Sequence, residues 1–352
     1  MSLGSLDGWH GEQVMAQRDR ETGAWSFIAL HSTHLGPSVG GTRMRSYDSA
    51  DEALADCLRL AEGMTYKTAA ADLPCGGGKA VIGVPRGLSA GDRARLILEH
   101  GRRVALLDGR FVTGPDMGTG EADMDLLGTV TDHVFCRSAA TGGVGTASPW
   151  TAAGVLSAIE ASLEHETGTR RLNGVSVLIQ GLGEVGARLA RLLHDRGARL
   201  LLSDIDSNVV RRLLPELPGS TAVAAGDVYT TECDIYSPCA VGGTISAATI
   251  PRLRCRMIVG AANNQLADPT DGERLRERRI RYAPDFVANA GGIIRAVGFE
   301  MLHWSDAEVD RRIDDIGTTL LDIYRRADAG DVSTATAAMW LAKERLQAGV
   351  GA

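Results

Sequence analysis

The stretch VSVLIQGLGEVGARLARLLHDRGARLLLSDID, Val175 to Asp206, constrains the fold more than any other part of the chain. An apolar run of buried-strand character enters a glycine turn, then a helix-patterned segment, then a second apolar run that ends in acid. A strand–turn–helix–strand unit of this kind belongs to a parallel sheet with helices on both faces, so the fold class is α/β. Gly181 permits the tight turn, Gly183 lets the backbone approach a pyrophosphate, and Gly186 lets the helix lie close on the sheet. The helix N-terminus adds positive potential for phosphate. Asp204 ends the second strand, where its carboxylate can accept hydrogen bonds from an adenosine ribose and repel a 2′-phosphate, favouring NAD over NADP. Asp206 is the rival for that position, and Arg211 and Arg212 leave NADP use open.

The rest of the chain extends the same pattern. Short apolar strands recur near Cys233 to Ser237 and Arg256 to Gly260, and the chain from about Ser305 reads as helical. In the first third, Trp25 to His31, Ala80 to Val84 and the run RFVT read as strands. Asp51 to Met64 carries Leu54, Cys57, Leu58, Leu60 and Ala61 at helical spacing, and Asp92 to Leu107 reads as a second helix. Small residues from Ala139 to Ser148 mark a linker, after which TAAGVLSAIEASLEH begins a long helix with Thr151 near its first turn. A length of 352 residues is enough for two domains. The net charge of −7, with both signs interspersed and no basic tract, argues against nucleic acid as a partner. No signal core or membrane-length apolar run is present, so a cytoplasmic protein is expected, with its six scattered cysteines as free thiols. His31 and His34 have no acidic or cysteine ligand nearby in sequence, and no metal site is expected.

Two lysines carry the chemistry. Lys67 and Lys79 lie in MTYKTAAADLPCGGGK, and TGPDMGTGEADMD follows with Asp116 in what reads as a loop. Lys79 behind three glycines has little side-chain shielding, and a second ammonium nearby would favour loss of its proton, which suits general acid or base work. GGGK is not a phosphate loop: Leu73 and Ala80 stand where that motif needs glycine and Ser or Thr.

These runs, together with LGPSVGGTRM (Leu35 to Met44), SPCAVGG (Ser237 to Gly243), GAANNQL (Gly260 to Leu266) and YAPDFVANAGG (Tyr282 to Gly292), closely resemble the Glu/Leu/Phe/Val dehydrogenase family of NAD(P)-dependent amino-acid dehydrogenases. Within it they look most like the bacterial phenylalanine and leucine dehydrogenases. The resemblance implies two domains around a cleft that closes by hinge motion: a substrate-binding and oligomerisation domain, 1–140 with 325–352 returning to it, and a Rossmann NAD-binding domain, 141–324. It implies a homo-oligomer that oxidatively deaminates a hydrophobic L-amino acid to a 2-oxo acid, ammonium and NADH, with amino acid and 2-oxo acid as its small-molecule partners. By the resemblance Lys67 binds the substrate α-carboxylate, Lys79 handles the water that attacks the imine carbon, and Asp116 exchanges protons with the amino group. Gly40 and Gly41 let substrate approach the backbone, and Val39, Gly114, Ile293 and Ala296 surround its side chain. Asn263 serves both substrate and nicotinamide, and Thr151 the nicotinamide carboxamide. Gly181, Gly183, Glu184, Val185, Gly186, Asp204 and Ala240 hold the rest of the cofactor. Glutamate-specific relatives carry a lysine where this chain has Val39, so a charged side chain would meet an apolar wall. Gly114-Pro115 replaces the Ala-Glu of leucine-specific members, and IIRAVGFEMLHW after Gly292 departs from the branched-chain pattern. Two other readings are a related enzyme acting on an unusual aromatic amino acid in secondary metabolism, and a dinucleotide sensor without catalysis. A sensor would need none of Lys67, Lys79 and Asp116.

Overall fold

The computed structural model describes residues 6–349. The chain forms two compact units, the first running to Thr146 and also containing Ala296–His303 and the chain from Ala342, the second containing Ala147–Arg295 and Trp304–Leu341.

The first unit is built on β1 (Gln13–Arg18), β2 (Trp25–Ser32), β3 (Ser38–Arg45), α1 (Ala50–Ala70), β4 (Gly76–Gly83), α2 (Ala90–Ala105), β5 (Phe111–Pro115) and α3 (Glu121–Gly128). Its five strands lie in the order β1-β2-β4-β3-β5. β1 and β4 run antiparallel to β2, while β3 runs parallel to both β4 and β5. α1 begins where Ser49 accepts a hydrogen bond from Glu52 N, a cap contributing about 1 kcal/mol. Its apolar stripe of Ala53, Leu54, Cys57, Leu58 and Ala61 packs on Phe27, Ala29 and Val81. The opposite sheet face, with Ile28, Leu30, Ala80 and Phe111, takes Val104 of α2.

That second face also buries a polar chain. His100 of α2 lies fully buried between Ser26 Oγ and Thr42 Oγ1, each 3.1 Å from a ring nitrogen, and Thr42 Oγ1 is 2.7 Å from Thr113 Oγ1. Burial, and after it the Arg103 guanidinium, push the imidazole down to about 3 from 6.5. The folded protein therefore keeps His100 neutral while the unfolded chain takes up a proton below 6.5. Stability should fall by about 1.4 kcal/mol per pH unit from this group as pH drops from about 6.5 toward 3. Urea midpoints from pH 7 to 5 should show the slope in the wild type, and a flatter profile in His100→Gln.

The second unit is α4 (Ser148–Thr167), β6 (Ser176–Gln180), α5 (Glu184–Asp195), β7 (Arg199–Ser203), α6 (Ser207–Leu213), β8 (Thr221–Ala222), β9 (Ile235–Pro238), β10 (Met257–Ile258), α7 (Asp271–Glu277), β11 (Arg281–Tyr282), α8 (Asp285–Ala288), α9 (Gly291–Arg295) and α10 (Asp306–Gly330). Its six strands, ordered β11-β10-β9-β6-β7-β8, are all parallel, as continuous apolar runs such as SVLIQ require. α10 lies along α4: Ser157 Oγ donates to Asp314 O and accepts from Gly317 N, and a Cβ at Gly317 would stand 2.9 Å from that hydroxyl.

The unit boundaries differ from 1–140 and 141–324. The first break follows Thr146, because Cys136 N and Val144 N both donate to Glu300 and keep the linker with the first unit. The C-terminal return begins not at 325 but at Ala342, within α11 (Thr334–Ala348), because α10 is held by its packing on α4. There Arg345 Nη1 donates to Ala70 O at 2.5 Å, satisfying a carbonyl at the end of α1.

Candidate active site

Lys79 does not sit in an open glycine loop. The run GGGK is the first half of β4, and Lys79 is only 5% exposed. The glycines serve close packing instead: a Cβ at Gly77 would lie 1.9 Å from Thr65 N of α1, and one at Gly76 would lie 1.8 Å from Ser32 O. α1 runs six residues past Met64, so Lys67 stands on its last turn, half-buried, rather than in a connecting segment.

The sheet register assembles the rest. β3 pairs Val39 with Gly77 and Thr42 with Ala80 on one side, and Val39 with Val112 and Gly41 with Gly114 on the other. Residues opposite one another on parallel strands point to the same face, so Val39, Gly41, Lys79, Val112 and Gly114 share the α1 face. Gly40 points to the other face, where a Cβ would meet Gly78 O at 1.8 Å. Of the two glycines, Gly41 is thus the one beside Lys79. A Cβ on Gly41 would come within 2.9 Å of Asp116 Cβ, which is why β5 can deliver that aspartate here. Asp116 follows β5 directly, and its Oδ2 lies 3.3 Å from Lys79 Nζ.

Arg43, two residues past Gly41 on β3, also reaches that oxygen, with Nε at 2.7 Å. Burial works against the charged form of Asp116, but Lys79 and then Arg43 outweigh it and hold the carboxyl below the usual carboxylate range. Thr119 Oγ1 fixes the turn by accepting from Asp116 N and donating to Thr42 O. Arg43 was not among the residues expected here; the only sequence signal is its place in GGTRM. Phe135 is a second such residue, buried with its Cβ 3.7 Å from where a Gly114 Cβ would stand. Val39 is fully buried, Ala296 is buried in the first unit at the start of a π-helical turn, and Ile293 is half-buried on α9 in the second unit. A cavity of about 340 Å³ at the β5 edge, lined by Val112, Phe135, Arg137, Phe299 and Met301 among others, includes neither Lys79 nor Asp116.

In the second unit the glycine turn has the geometry a dinucleotide needs. Gly181 has φ of +95°, and a Cβ there would stand 2.6 Å from that of Ala240. A Cβ on Gly186 would meet Gly181 O at 2.0 Å, whereas Gly183 has open space and begins α5, with Glu184 and Val185 in its first turn. Ser148 Oγ donates to Glu184 Oε2 at 2.7 Å. Asp204 accepts from Leu182 N at 2.7 Å and from Asp206 N at 2.9 Å, tying the acid to the turn while each oxygen keeps a lone pair for a ribose hydroxyl. Asp206 instead caps α6 by accepting from Asn208 N. Thr151 Oγ1 donates to Ala147 O on the first turn of α4. Asn263 Oδ1 accepts from Asn289 Nδ2 at 2.8 Å, which orients its amide and brings GAANNQL and VANAGG together. The chain therefore fits a dinucleotide at this turn. Among the described residues no three His, Cys, Asp or Glu side chains are grouped to hold a metal ion, and His31 Nδ1 hydrogen-bonds Thr65 Oγ1. All six cysteines are free, and no described helix is long and apolar enough to cross a membrane.

Residues 12–133 match the family model for the Glu/Leu/Phe/Val dehydrogenase dimerisation domain, and residues 142–213 and 205–350 match that for Glutamate/Leucine/Phenylalanine/Valine dehydrogenase. The chain belongs to the Glu/Leu/Phe/Val dehydrogenase family. It is an amino-acid dehydrogenase. It is 42% identical to a leucine dehydrogenase of Geobacillus stearothermophilus over 97% of this chain and 92% of that one. It is also 42% identical to a valine dehydrogenase of Streptomyces coelicolor, over 97% of this chain and 93% of that one. The crystal structure of an L-tryptophan dehydrogenase from Nostoc punctiforme superposes with a TM-score of 0.82 at 35% identity, covering 99% of both chains. These matches support an α/β architecture with a dimerisation domain followed by a Rossmann-like domain, and a dinucleotide-dependent enzyme.

Proposed function

We propose that this enzyme carries out the reversible, NAD-dependent oxidative deamination of a hydrophobic L-amino acid, with phenylalanine, leucine and valine as the substrates to test first. The observation that carries the reading is the buried Lys79–Asp116 pair beside the Gly41–Gly114 floor, with no cation at Val39 to receive a second carboxylate. Lys67 binds the α-carboxylate. NAD⁺ held at the Gly181–Gly186 turn would supply the acceptor for the hydride on the α-carbon. Asp116, held ionised, takes a proton from the substrate ammonium, and Lys79 removes a proton from the water that adds to the imine carbon. Asp116 then returns its proton to the carbinolamine nitrogen, and the C–N bond breaks as the carbinol hydroxyl gives up its proton to form the carbonyl, so that ammonia leaves and is protonated to ammonium. The valine, leucine and tryptophan dehydrogenases similar to this chain span small to large apolar side chains, which fits a floor of two glycines rather than a fixed branched-chain pocket. The dimerisation-domain match supports a homo-oligomer, and the free thiols support a cytoplasmic setting.

Initial rates at 340 nm with a panel of amino acids and both dinucleotides test the reading. NADH production from hydrophobic amino acids, with NAD⁺ preferred over NADP⁺, is the expected result. A protein that binds NADH yet produces none from any amino acid would be a sensor instead. Asp204→Ser should narrow the NAD⁺ preference in kcat/KM by about 10- to 100-fold, the worth of hydrogen bonds to a charged acceptor. An unchanged ratio would remove Asp204 from the ribose.

A further inference from the structure

The proton-transfer pair has a third member whose charge cannot be removed. Arg43 Nε donates to Asp116 Oδ2 at 2.7 Å, the oxygen that Lys79 Nζ approaches at 3.3 Å, and no described residue donates to Asp116 Oδ1. The other end of the guanidinium is anchored: Nη1 donates to Asp56 Oδ2 at 2.9 Å. Asp56 in turn accepts from Tyr47 Oη at 2.8 Å and from Arg59 Nη2 at 2.7 Å. The Arg43 and Asp56 side chains are 11% and 12% exposed, so this is a buried row of charges, Lys79–Asp116–Arg43–Asp56, whose signs balance.

We propose that Arg43 is a positioning residue that keeps Asp116 ionised and aimed while Lys79 gives up and regains its proton. This rests on the roles proposed above for Lys79 and Asp116. A lysine acts as a base only in its neutral form. Were Lys79 the sole partner of Asp116, each loss of its proton would leave a buried carboxylate without a counter-ion, a strongly unfavourable state. The carboxylate would then take the proton itself, and the two groups would act as one site. A guanidinium stays charged throughout, so Arg43 separates the two proton transfers. Its direct bond to Oδ2 also leaves Oδ1 as the oxygen available to a substrate amino group.

The surroundings agree. Burial opposes the charge on Arg43, but Asp116 and Asp56 raise its hold on the proton further. The groups facing the row are Arg43 from β3, Lys79 from β4, Asp56, Arg59 and the Cys57 thiol from α1, Tyr47 after β3, and the Thr119 hydroxyl after β5. Lys67 stands further along α1. Cys57 donates to Lys79 O, and burial pushes its thiol up to about 12, so it supplies no charge.

The test is the pH dependence of kcat for amino-acid oxidation in wild type, Arg43→Lys, Arg43→Gln, Asp56→Asn, Asp116→Asn and the Arg43→Gln/Asp116→Asn double variant, with NADH binding as the check on folding. Without Arg43, withdrawing the Lys79 proton becomes costlier. The acid limb should therefore move up by about one pH unit or more in Arg43→Gln, a roughly tenfold loss below the limb beyond any loss above it. Arg43→Lys, which keeps a cation, should leave the limb in place. Asp56→Asn removes a buried negative charge and should move the limb the other way, and it decides the matter if Arg43→Gln does not fold. In the Asp116→Asn background, Arg43→Gln should add less than about twofold. A loss of equal factor at every pH, or an undiminished loss in the Asp116→Asn background, would show a merely structural role. An Asp116→Asn enzyme turning over at the wild-type rate would instead overturn the site reading on which this rests.

Discussion

Lys79→Ala should lower kcat by on the order of 10² to 10⁴, the usual loss on removing a positioned acid or base, while NADH binding changes little. The separation is expected because Lys79 lies on β4 of the first unit, whereas the dinucleotide turn at Gly181–Gly186 belongs to the second. The fold should survive the change. Asp116 keeps its 2.7 Å bond to Arg43, so truncating the lysine does not strand a buried carboxylate. Steady-state rates at 340 nm and NADH fluorescence titration on the same preparation check both halves. Retention of more than about a tenth of wild-type kcat would show that Lys79 is not the group that activates water.

Discrimination against glutamate should be of similar size. The residues proposed around the side chain, Val39, Gly114, Ile293 and Ala296, carry no charge, so a γ-carboxylate entering there would be desolvated without a partner. An effective penalty of several kcal/mol places kcat/KM for glutamate on the order of 10³-fold or more below that for leucine. Leucine and phenylalanine should differ far less, by about 10- to 200-fold, as expected of unfilled or crowded methylene-sized space. Gly114 is proposed to tune that space: its Cβ position is in ordinary contact with Phe135 and nothing else, so Gly114→Val can be accommodated and should favour valine over phenylalanine. The measurement is kcat/KM for the four amino acids on both proteins. Glutamate turning over as fast as leucine would place Val39 outside the pocket.

The second unit was largely legible in the sequence because its signals are local. The strand VSVLIQ, the glycine turn, the helix and the acid at Asp204 follow one another within a single βαβ unit, and each adopts the expected form. The sequence already favours Asp204 over Asp206, and the structure adds that Asp204 is tied to the glycine turn while Asp206 caps α6. In the first unit the relevant signals are not local. SVGGTRMR and GGGKAVIG contain the residues least suited to strands by propensity, yet both are strands, because the neighbouring backbone and α1 come too close for side chains. Glycine there reports packing between elements far apart in sequence, and a reading by propensity takes it for a loop. Arg43 is not legible in the sequence for the same reason. Its partners are 13 and 73 residues away, and they meet it only through the packing of α1 on the sheet and the β3–β5 register. The return of the chain at Ala342 rather than 325 likewise depends on α10 packing along α4, a contact that the helical pattern alone does not specify.

The central claim, that the buried Lys79–Asp116 pair deaminates a hydrophobic amino acid at the expense of NAD⁺, is tested most directly by following NADH and ammonium together in wild type and Asp116→Asn. With leucine or phenylalanine and NAD⁺, the wild type should give equimolar NADH and ammonium. In Asp116→Asn kcat should be lower by on the order of 10² or more, with NADH affinity preserved. NADH formed without ammonium, or an Asp116→Asn enzyme as fast as the wild type, would contradict it.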